Sequence, residues 1–419
     1  MFLLYNLILV LLSPLWVPWM IFKARKRGEQ PNWAERQGNY QIRPLKGDKR
    51  IWFHAVSVGE VLASTSILKA IRERLPDYEI VLSTTTSSGH RTAREHAVGL
   101  YDHLVYFPID LARFQLTAMQ RVRPSVVVIM ETELWMNFLW AAKVFNARTL
   151  LVNGRISDRS FRRSLKVRAF FCALLRDMDR CLMQTQLDAE RMRSLGAGIA
   201  EVIGNAKFDQ ALDGLGVDGI DWRAELDLSA DRPVIVVGST RDDFEEDFIL
   251  SALAKFDSQA VQIIHAPRHL ERVPALLSKV QKARGGAVLR SEGNPGDYII
   301  LDTYGELGSV YSVADVVIVG GGFSNLGGQN IFQPLAHGKP VLHGPFMQNF
   351  RDVSEVAYEV GATRICPTAD SLAQALDELL KSPDTRYRMG LAAREFIEKN
   401  RGASARYADA IAVEANRVK

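Results

Sequence analysis

A chain of 419 residues with 47% hydrophobic and 24% charged residues is folded rather than disordered, and it is too long for one ordinary core, so two domains are expected. A formal charge of +4 is too mild to indicate a nucleic-acid partner, although it suits an anionic membrane surface. The scattered cysteines, Cys172, Cys181 and Cys366, exclude a disulfide framework, show no metal spacing and read as small buried apolar residues in a reducing compartment.

The amino terminus comes first. From Met1 to Phe22 no residue is charged, and the run MFLLYNLILVLLSPLWVPWMIF is almost wholly apolar. About 20 such residues cross a hydrocarbon core as a helix. Pro14 and Pro18 are expected to kink that helix, and Trp16 and Trp19 suit an interfacial belt. A cleaved signal peptide places its positive charges before the apolar run. Here they follow it, as Lys23, Arg25, Lys26 and Arg27, which favours an uncleaved anchor with the next domain on the cytoplasmic side. Residues 1–27 are therefore read as membrane anchor and basic flank. NWAERQG (32–38) is expected near the membrane, where it helps guide an acceptor.

Short apolar runs then alternate with amphipathic stretches. IWFHAV (51–56), EIVLSTT (79–85), SVVVIM (125–130) and RTLLVN (148–153) read as strands, the first followed by a helix from Glu60 to about Leu75. Continuously apolar strands with intervening helices imply a parallel sheet covered on both faces, hence a Rossmann-like domain over 28–208. The Gly- and Asp-rich segment 209–232 reads as a linker. The alternation restarts with PVIVVGS (233–239), AVQIIHAP (260–267), DYIILD (297–302), DVVIVGGG (315–322) and KPVLHGP (339–345), giving a second Rossmann-like domain over 233–419. Its last helices, from about Asp370 to Val418, are free to pack back across the first domain. The two sheets are expected to open their strand ends onto a central cleft, where loop amides and helix amino termini converge on a ligand.

The motifs fall on those strand ends. HAVSVGEV places Gly59 and Glu60 at a strand-to-helix junction. Glycine there permits a tight turn and close approach of a substrate. The helix dipole is expected to lower the Glu60 pKa, and the residue reads either as a simple cap or as a general base. IMETELW ends a strand with Glu131 and Glu133, which point to one side if strand geometry persists. NGRISDRS and GNAKFD add Arg155 and Lys207, cations able to meet carboxylate, phosphate or developing charge. In the second half, HAPRH sets Arg268 beside Pro267, TYGELG sets a helix start at Gly305–Glu306, and GGGFSNLGGQNIFQP is a glycine-rich loop entering a helix near Asn330. That loop has Asn325 where a dinucleotide fingerprint needs glycine, and it has no Walker lysine, so redox cofactors and nucleotide hydrolysis are disfavoured. The loop amides still suit the phosphate of a nucleotide donor. The triplet Asp177-Met178-Asp179 reads as turn polarity rather than a metal site, and the histidines show no ligand spacing, so neither metal nor cofactor is expected.

The ordered set HAVSVGE, METELW, NGRISDRS, GNAKFD, VGSTRDDFEE, APRH, GELGSVY and GGQN…P resembles the Kdo transferases of glycosyltransferase family 30, from the anchor almost to the carboxyl terminus. The resemblance implies a GT-B fold, two Rossmann-like domains facing a cleft behind a membrane anchor. It implies inverting, metal-independent transfer of 3-deoxy-D-manno-oct-2-ulosonic acid (Kdo) from CMP-Kdo to the lipid A precursor lipid IVA, at the cytoplasmic face of the inner membrane. Carried over by motif, Glu60 is the general base, and Glu131 and Lys207 stabilise the transition state. Pro267, Arg268, Tyr304, Gly305, Glu306, Asn330, Ile331, Phe332 and Gln333 then contact CMP. The family's GGHN, apolar pair and Glu-Pro are altered here at Gln329 and Gln333, and Tyr304 stands where methionine is frequent. Glutamine keeps a carbonyl acceptor but loses charge assistance, a difference of about 1–2 kcal/mol. Those changes leave open a different nucleotide-activated sugar, or a catalytically silent lipid- or nucleotide-binding relative. A sugar-nucleotide epimerase, with a soluble substrate, has no need of the anchor.

Overall fold

The structure is a computed structural model that describes residues 1–26, 32–44, 49–215, 219–257 and 259–417. Arg27 of the expected basic flank lies outside the described residues. The chain forms two compact units, one of residues 1–210 with 401–419 and the other of residues 211–400.

The first unit carries a seven-stranded sheet of β1 (Arg50–His54), β2 (Glu79–Thr84), β3 (His103–Tyr106), β4 (Val126–Met130), β5 (Arg148–Gly154), β6 (Arg180–Met183) and β7 (Ala200–Val202). Its order is β3-β2-β1-β4-β5-β6-β7, and every neighbouring pair is parallel. Alternate residues feed opposite faces: Ile51 and Phe53 enter one apolar cluster and Trp52 the other, all fully buried. That two-sided burial is why these strands read as continuous apolar runs. The direction of winding reverses between β1 and β4, so the loops after those two strands flank the switch point where open α/β sheets bind ligands.

The second unit repeats the plan with β8 (Val234–Thr240), β9 (Gln262–Pro267), β10 (Val288–Leu289), β11 (Tyr298–Ile300), β12 (Val316–Val319), β13 (Val341–His343) and β14 (Thr363–Ile365). Its order is β10-β11-β9-β8-β12-β13-β14, again parallel, with the reversal between β8 and β12.

α1 (Phe2–Lys26) runs unbroken through Pro14 and Pro18, and its Phe2–Trp19 stretch is long and apolar enough to cross a membrane by length and composition. α2 (Trp33–Arg36) is a single turn, and α3 (Val58–Arg74) follows β1. The segment read as a linker differs from expectation. It contributes the turn Trp222–Glu225 to the second unit, with Trp222 buried under the Arg290 guanidinium. At the other end, helices Ala369–Lys381 and Pro383–Asn400 stay with the second unit, whereas Ala403–Arg417 belongs to the first. Tyr407 and Ile411 of that last helix are fully buried in the cluster formed by α3 and β1.

Candidate active site

The first unit gathers its charged residues at the switch point. After β1 the chain turns through Ser57, the amino-terminal cap of α3, and Glu60 lies in the first helical turn. One Glu60 oxygen accepts from the Val56 amide at 3.0 Å and the other from the Ser57 hydroxyl at 3.0 Å, so the cap geometry holds the carboxylate in place. The expected depression of its pKa is not what results. Burial pushes Glu60 up to about 7, the Val56 amide opposes this, and the nearby carboxylates of Glu131 and Glu133 add to the rise. Desolvation outweighs the backbone donors. The Gly59 backbone is not left-handed, and a Cβ there would meet open space.

Strand geometry does not persist past Met130. Glu131 sits at φ 53°, in the left-handed region, and its amide donates to the Val152 carbonyl at 3.0 Å. This turn, not strand alternation, aims its carboxylate at Lys207, whose Nζ donates to Glu131 Oε1 at 2.9 Å. Both side chains are mostly buried, at 17% and 21% exposure, so the pair is screened far less than a surface ion pair. Burial also raises Glu133, with Glu131 adding to the shift. Glu60, Glu131, Glu133 and Lys207 thus form one electrostatic group. Arg155 lies half-buried in the loop after β5.

Two residues that the sequence reading passed over hold this group in register. Asn153, buried at the end of β5 with φ 52°, accepts from the Ala206 amide at 3.1 Å, beside Lys207. Asp209 accepts from the amides of Gly402 and Ser404 at 2.5 and 2.7 Å, and the Tyr407 hydroxyl donates to the Gly204 carbonyl at 2.6 Å. The carboxyl-terminal helix is thereby stapled to the GNAKFD loop. Both residues lay inside quoted motifs, but their partners are distant in sequence. Asp179 of the D-x-D triplet is occupied structurally, bonding the Thr149 amide at 2.8 Å and Lys143 and Arg148 at 3.0 Å each.

The second unit builds its site from backbone. Pro267 ends β9, and the exposed Arg268 donates its amide to the Thr240 carbonyl at 2.8 Å. Tyr304 is 76% exposed, Gly305 is left-handed at φ 90°, and Glu306 caps the turn Leu307–Val310 while its carboxylate bonds the Thr303 hydroxyl. Asn330 Oδ1 accepts from the Phe332 amide at 2.9 Å, where the helix Phe332–Ala336 begins. Ile331 and Phe332 are buried beneath. Two of these segments touch: a Cβ on Gly308 would lie 2.8 Å from Gln333 Nε2, and the Gly308 carbonyl lies 2.9 Å from His337 Nε2.

The glycine-rich loop after β12 bends through Gly321, Gly327 and Gly328, all at positive φ, where L side chains are strained. Beneath it lies Glu245, fully buried, whose carboxylate accepts from the amides of Arg241 at 3.0 Å and Phe323 at 3.3 Å. Its sequence signal was the D-x-x-E of VGSTRDDFEE, with Asp242 capping the Glu245 amide at 2.9 Å.

Two parallel doubly wound units in one chain, each with its charged or glycine-rich loops at the switch point, place the protein in the GT-B class. The fold is similar to that of UDP-GlcNAc 2-epimerase from Neisseria meningitidis, with a TM-score of 0.62, 10% identity, and 88% of this chain and 100% of that one covered. It is also similar to that of a glycosyltransferase from Rickettsia africae, with a TM-score of 0.60, 12% identity, and 89% and 100% covered. A family model described as 3-deoxy-D-manno-octulosonic-acid transferase (kdotransferase) matches residues 31–210. The 3-deoxy-D-manno-octulosonic acid transferase of Bordetella pertussis is 33% identical over 97% of this chain and 98% of its own, and that of Haemophilus influenzae 30% identical over 90% of each. The chain belongs to the 3-deoxy-D-manno-octulosonic acid transferase family.

Proposed function

We propose that this protein transfers Kdo from CMP-Kdo to a lipid A precursor such as lipid IVA, with inversion and without a metal, at the cytoplasmic face of the inner membrane. Family membership supports the donor and the transfer. The observation that carries the mechanism is Glu60, fixed by two hydrogen bonds and raised to about 7, so that it is poised near neutral pH to take a proton.

In this reading Glu60 removes the proton of an acceptor hydroxyl as its oxygen bonds to the anomeric carbon of Kdo. The bond from that carbon to the CMP phosphate breaks on the opposite face, and the electron pair leaves with the phosphate. Lys207, held by Glu131, stabilises charge that builds in the transition state. Arg268 and the amides around Gly305–Glu306 and Asn330 receive the departing phosphate, and Gln333 the ribose. Pro267, Tyr304, Ile331 and Phe332 complete the CMP contacts.

Gln329 and Gln333 favour a second reading, the same transfer from another nucleotide-activated sugar, because both lie where the family pattern differs. One experiment separates the two. The detergent-solubilised protein is incubated with EDTA, a tetraacylated lipid A precursor and either CMP-Kdo or a panel of other sugar nucleotides, and the lipid is weighed by mass spectrometry. A mass gain of one or more Kdo units with CMP-Kdo alone is expected. Gain with a different donor only, or no gain at all, sinks the proposal.

A further inference from the structure

The first turn of α1 is bonded into the first unit, and this decides how an apolar helix of this length can meet a membrane. The Tyr5 hydroxyl donates to Asp110 Oδ2 at 2.7 Å, and Asp110 is itself buried, accepting from the amides of Asn137 and Phe138. Asn6 and Asn137 exchange reciprocal side-chain hydrogen bonds at 2.8 and 3.0 Å. Phe2 packs on Trp140 and Tyr5 on Phe170, with ring centroids 4.6 and 5.7 Å apart. Beyond the other end of α1, α2 is tied to the same stretch of chain: Arg36 donates to the Phe107 carbonyl at 3.1 Å, and Glu35 accepts from the Tyr106 amide at 2.6 Å. The first turn of α1 and the chain beyond its other end are therefore both tied to the stretch 106–110. A spanning helix would have to put its first turn some 30 Å away, across the hydrocarbon layer.

The middle of α1 is nevertheless suited to hydrocarbon. Leu3, Leu7, Leu11, Leu15 and Phe22 are all more than half exposed. The Ser13 hydroxyl donates to the Val10 carbonyl at 2.7 Å and Trp16 Nε1 to the Leu9 carbonyl at 3.1 Å, so these polar atoms need no water.

Next to the clamp stands a strongly basic surface. Phe170, the partner of Tyr5, belongs to the helix Arg168–Leu175, which continues from the helix Asp158–Lys166. The latter presents Arg159, Arg162, Arg163 and Lys166 along a shallow groove. All four are exposed, and none pairs with a carboxylate among the described residues. Leu165 and Val167, 41% and 53% exposed, lie among them.

We infer that α1 is embedded in one leaflet without crossing it, clamped to the first unit through Tyr5–Asp110 and Asn6–Asn137, and that Arg159, Arg162, Arg163 and Lys166 grip the anionic headgroups of that leaflet. The inference deepens the membrane part of the function proposed above and rests on it. Basic side chains at such a surface contribute about 1 kcal/mol each, or roughly fivefold in affinity per charge.

Two measurements test this on the full chain. Distinct epitope tags are placed before Met1 and after Lys419, and inverted inner-membrane vesicles are treated with protease. Loss of both tags is expected; loss of the carboxyl-terminal tag alone would mean that α1 spans, and would overturn the inference. In the second, the triple variant Arg159→Gln, Arg162→Gln, Lys166→Gln is sedimented with vesicles of phosphatidylcholine alone or mixed with phosphatidylglycerol. Binding to the mixed vesicles should fall roughly a hundredfold, with binding to neutral vesicles and the melting curve unchanged. Equal binding to mixed vesicles by variant and wild type would overturn the headgroup contact. Neither readout involves turnover, so a protein that passes both yet transfers no Kdo sinks the proposed function alone.

Discussion

In the first unit the candidate site is made of charged side chains, whereas in the second it is made of backbone. Glu60, Glu131, Glu133 and Lys207 are brought together at one switch point, and burial, with a smaller contribution from the neighbouring carboxylates, raises Glu60 and Glu133. At the equivalent point of the other sheet the loop is turned by buried positive-φ glycines, and the Glu245 carboxylate beneath it is taken up by backbone amides. In the proposed mechanism the same fold plan serves twice, one unit moving a proton and the other holding an anion.

The largest expected effect lies in the first unit. Glu60→Gln should lower the transfer rate by about 10²–10⁴-fold while leaving CMP binding intact, measured by turnover and by calorimetry. A loss of CMP affinity instead would break the division between chemistry and grip. In the wild type the base must be ionised, so the rate should rise with pH through about 7 and level off above it. Glu131→Gln, which removes a neighbouring negative charge, should move that rise to lower pH. Lys207→Met should cost about 10²-fold in turnover, as expected for loss of one preorganised charge.

Much of this was legible in the sequence because strands buried on both faces announce themselves as apolar runs, and the motif loops follow directly after them. Of the strands not read from apolar runs, β3, β7, β10 and β14 are two to four residues long and form the sheet edges, where no run can build up. The site was legible as a list of residues and not as an environment. Nothing local in METELW marks Glu131 as left-handed, and the burial that lifts Glu60 above its helix-terminal donors comes from residues distant in sequence. The staple from Asp209 to Gly402 and Ser404 spans nearly the whole second unit in sequence, so no motif could reveal it.

A stability measurement sharpens the contrast. Glu60 is raised in the folded state, so ionising it there is penalised. The penalty is absent below the ordinary carboxylate range, grows with pH, and is complete above about 7. Glu60→Gln should therefore stabilise the protein above pH 7 by about 1–2 kcal/mol, allowing for partial solvent contact, and leave it unchanged near pH 4. Glu245→Gln should do the reverse in the second unit. An amide group turned toward the Arg241 and Phe323 amides leaves a buried donor unsatisfied, costing about 1–3 kcal/mol in melting experiments and loosening CMP.

The smallest effect is the most informative about donor choice. Gln333 stands against Gly308, next to the turn that Glu306 caps, so a group held there also meets the GELG segment. If it holds ribose hydroxyls through a neutral carbonyl oxygen, a carboxylate in the same place gains charge assistance of about 1–2 kcal/mol. Gln333→Glu should then tighten CMP about tenfold by calorimetry, with the pH dependence of turnover unmoved because Glu60 is unaffected. Repulsion from Glu306 works against this gain, and Glu306→Gln in the same background should restore it. Unchanged affinity in both variants would mean that the ribose is held elsewhere, and that the glycine-rich loop grips the donor through its phosphate alone.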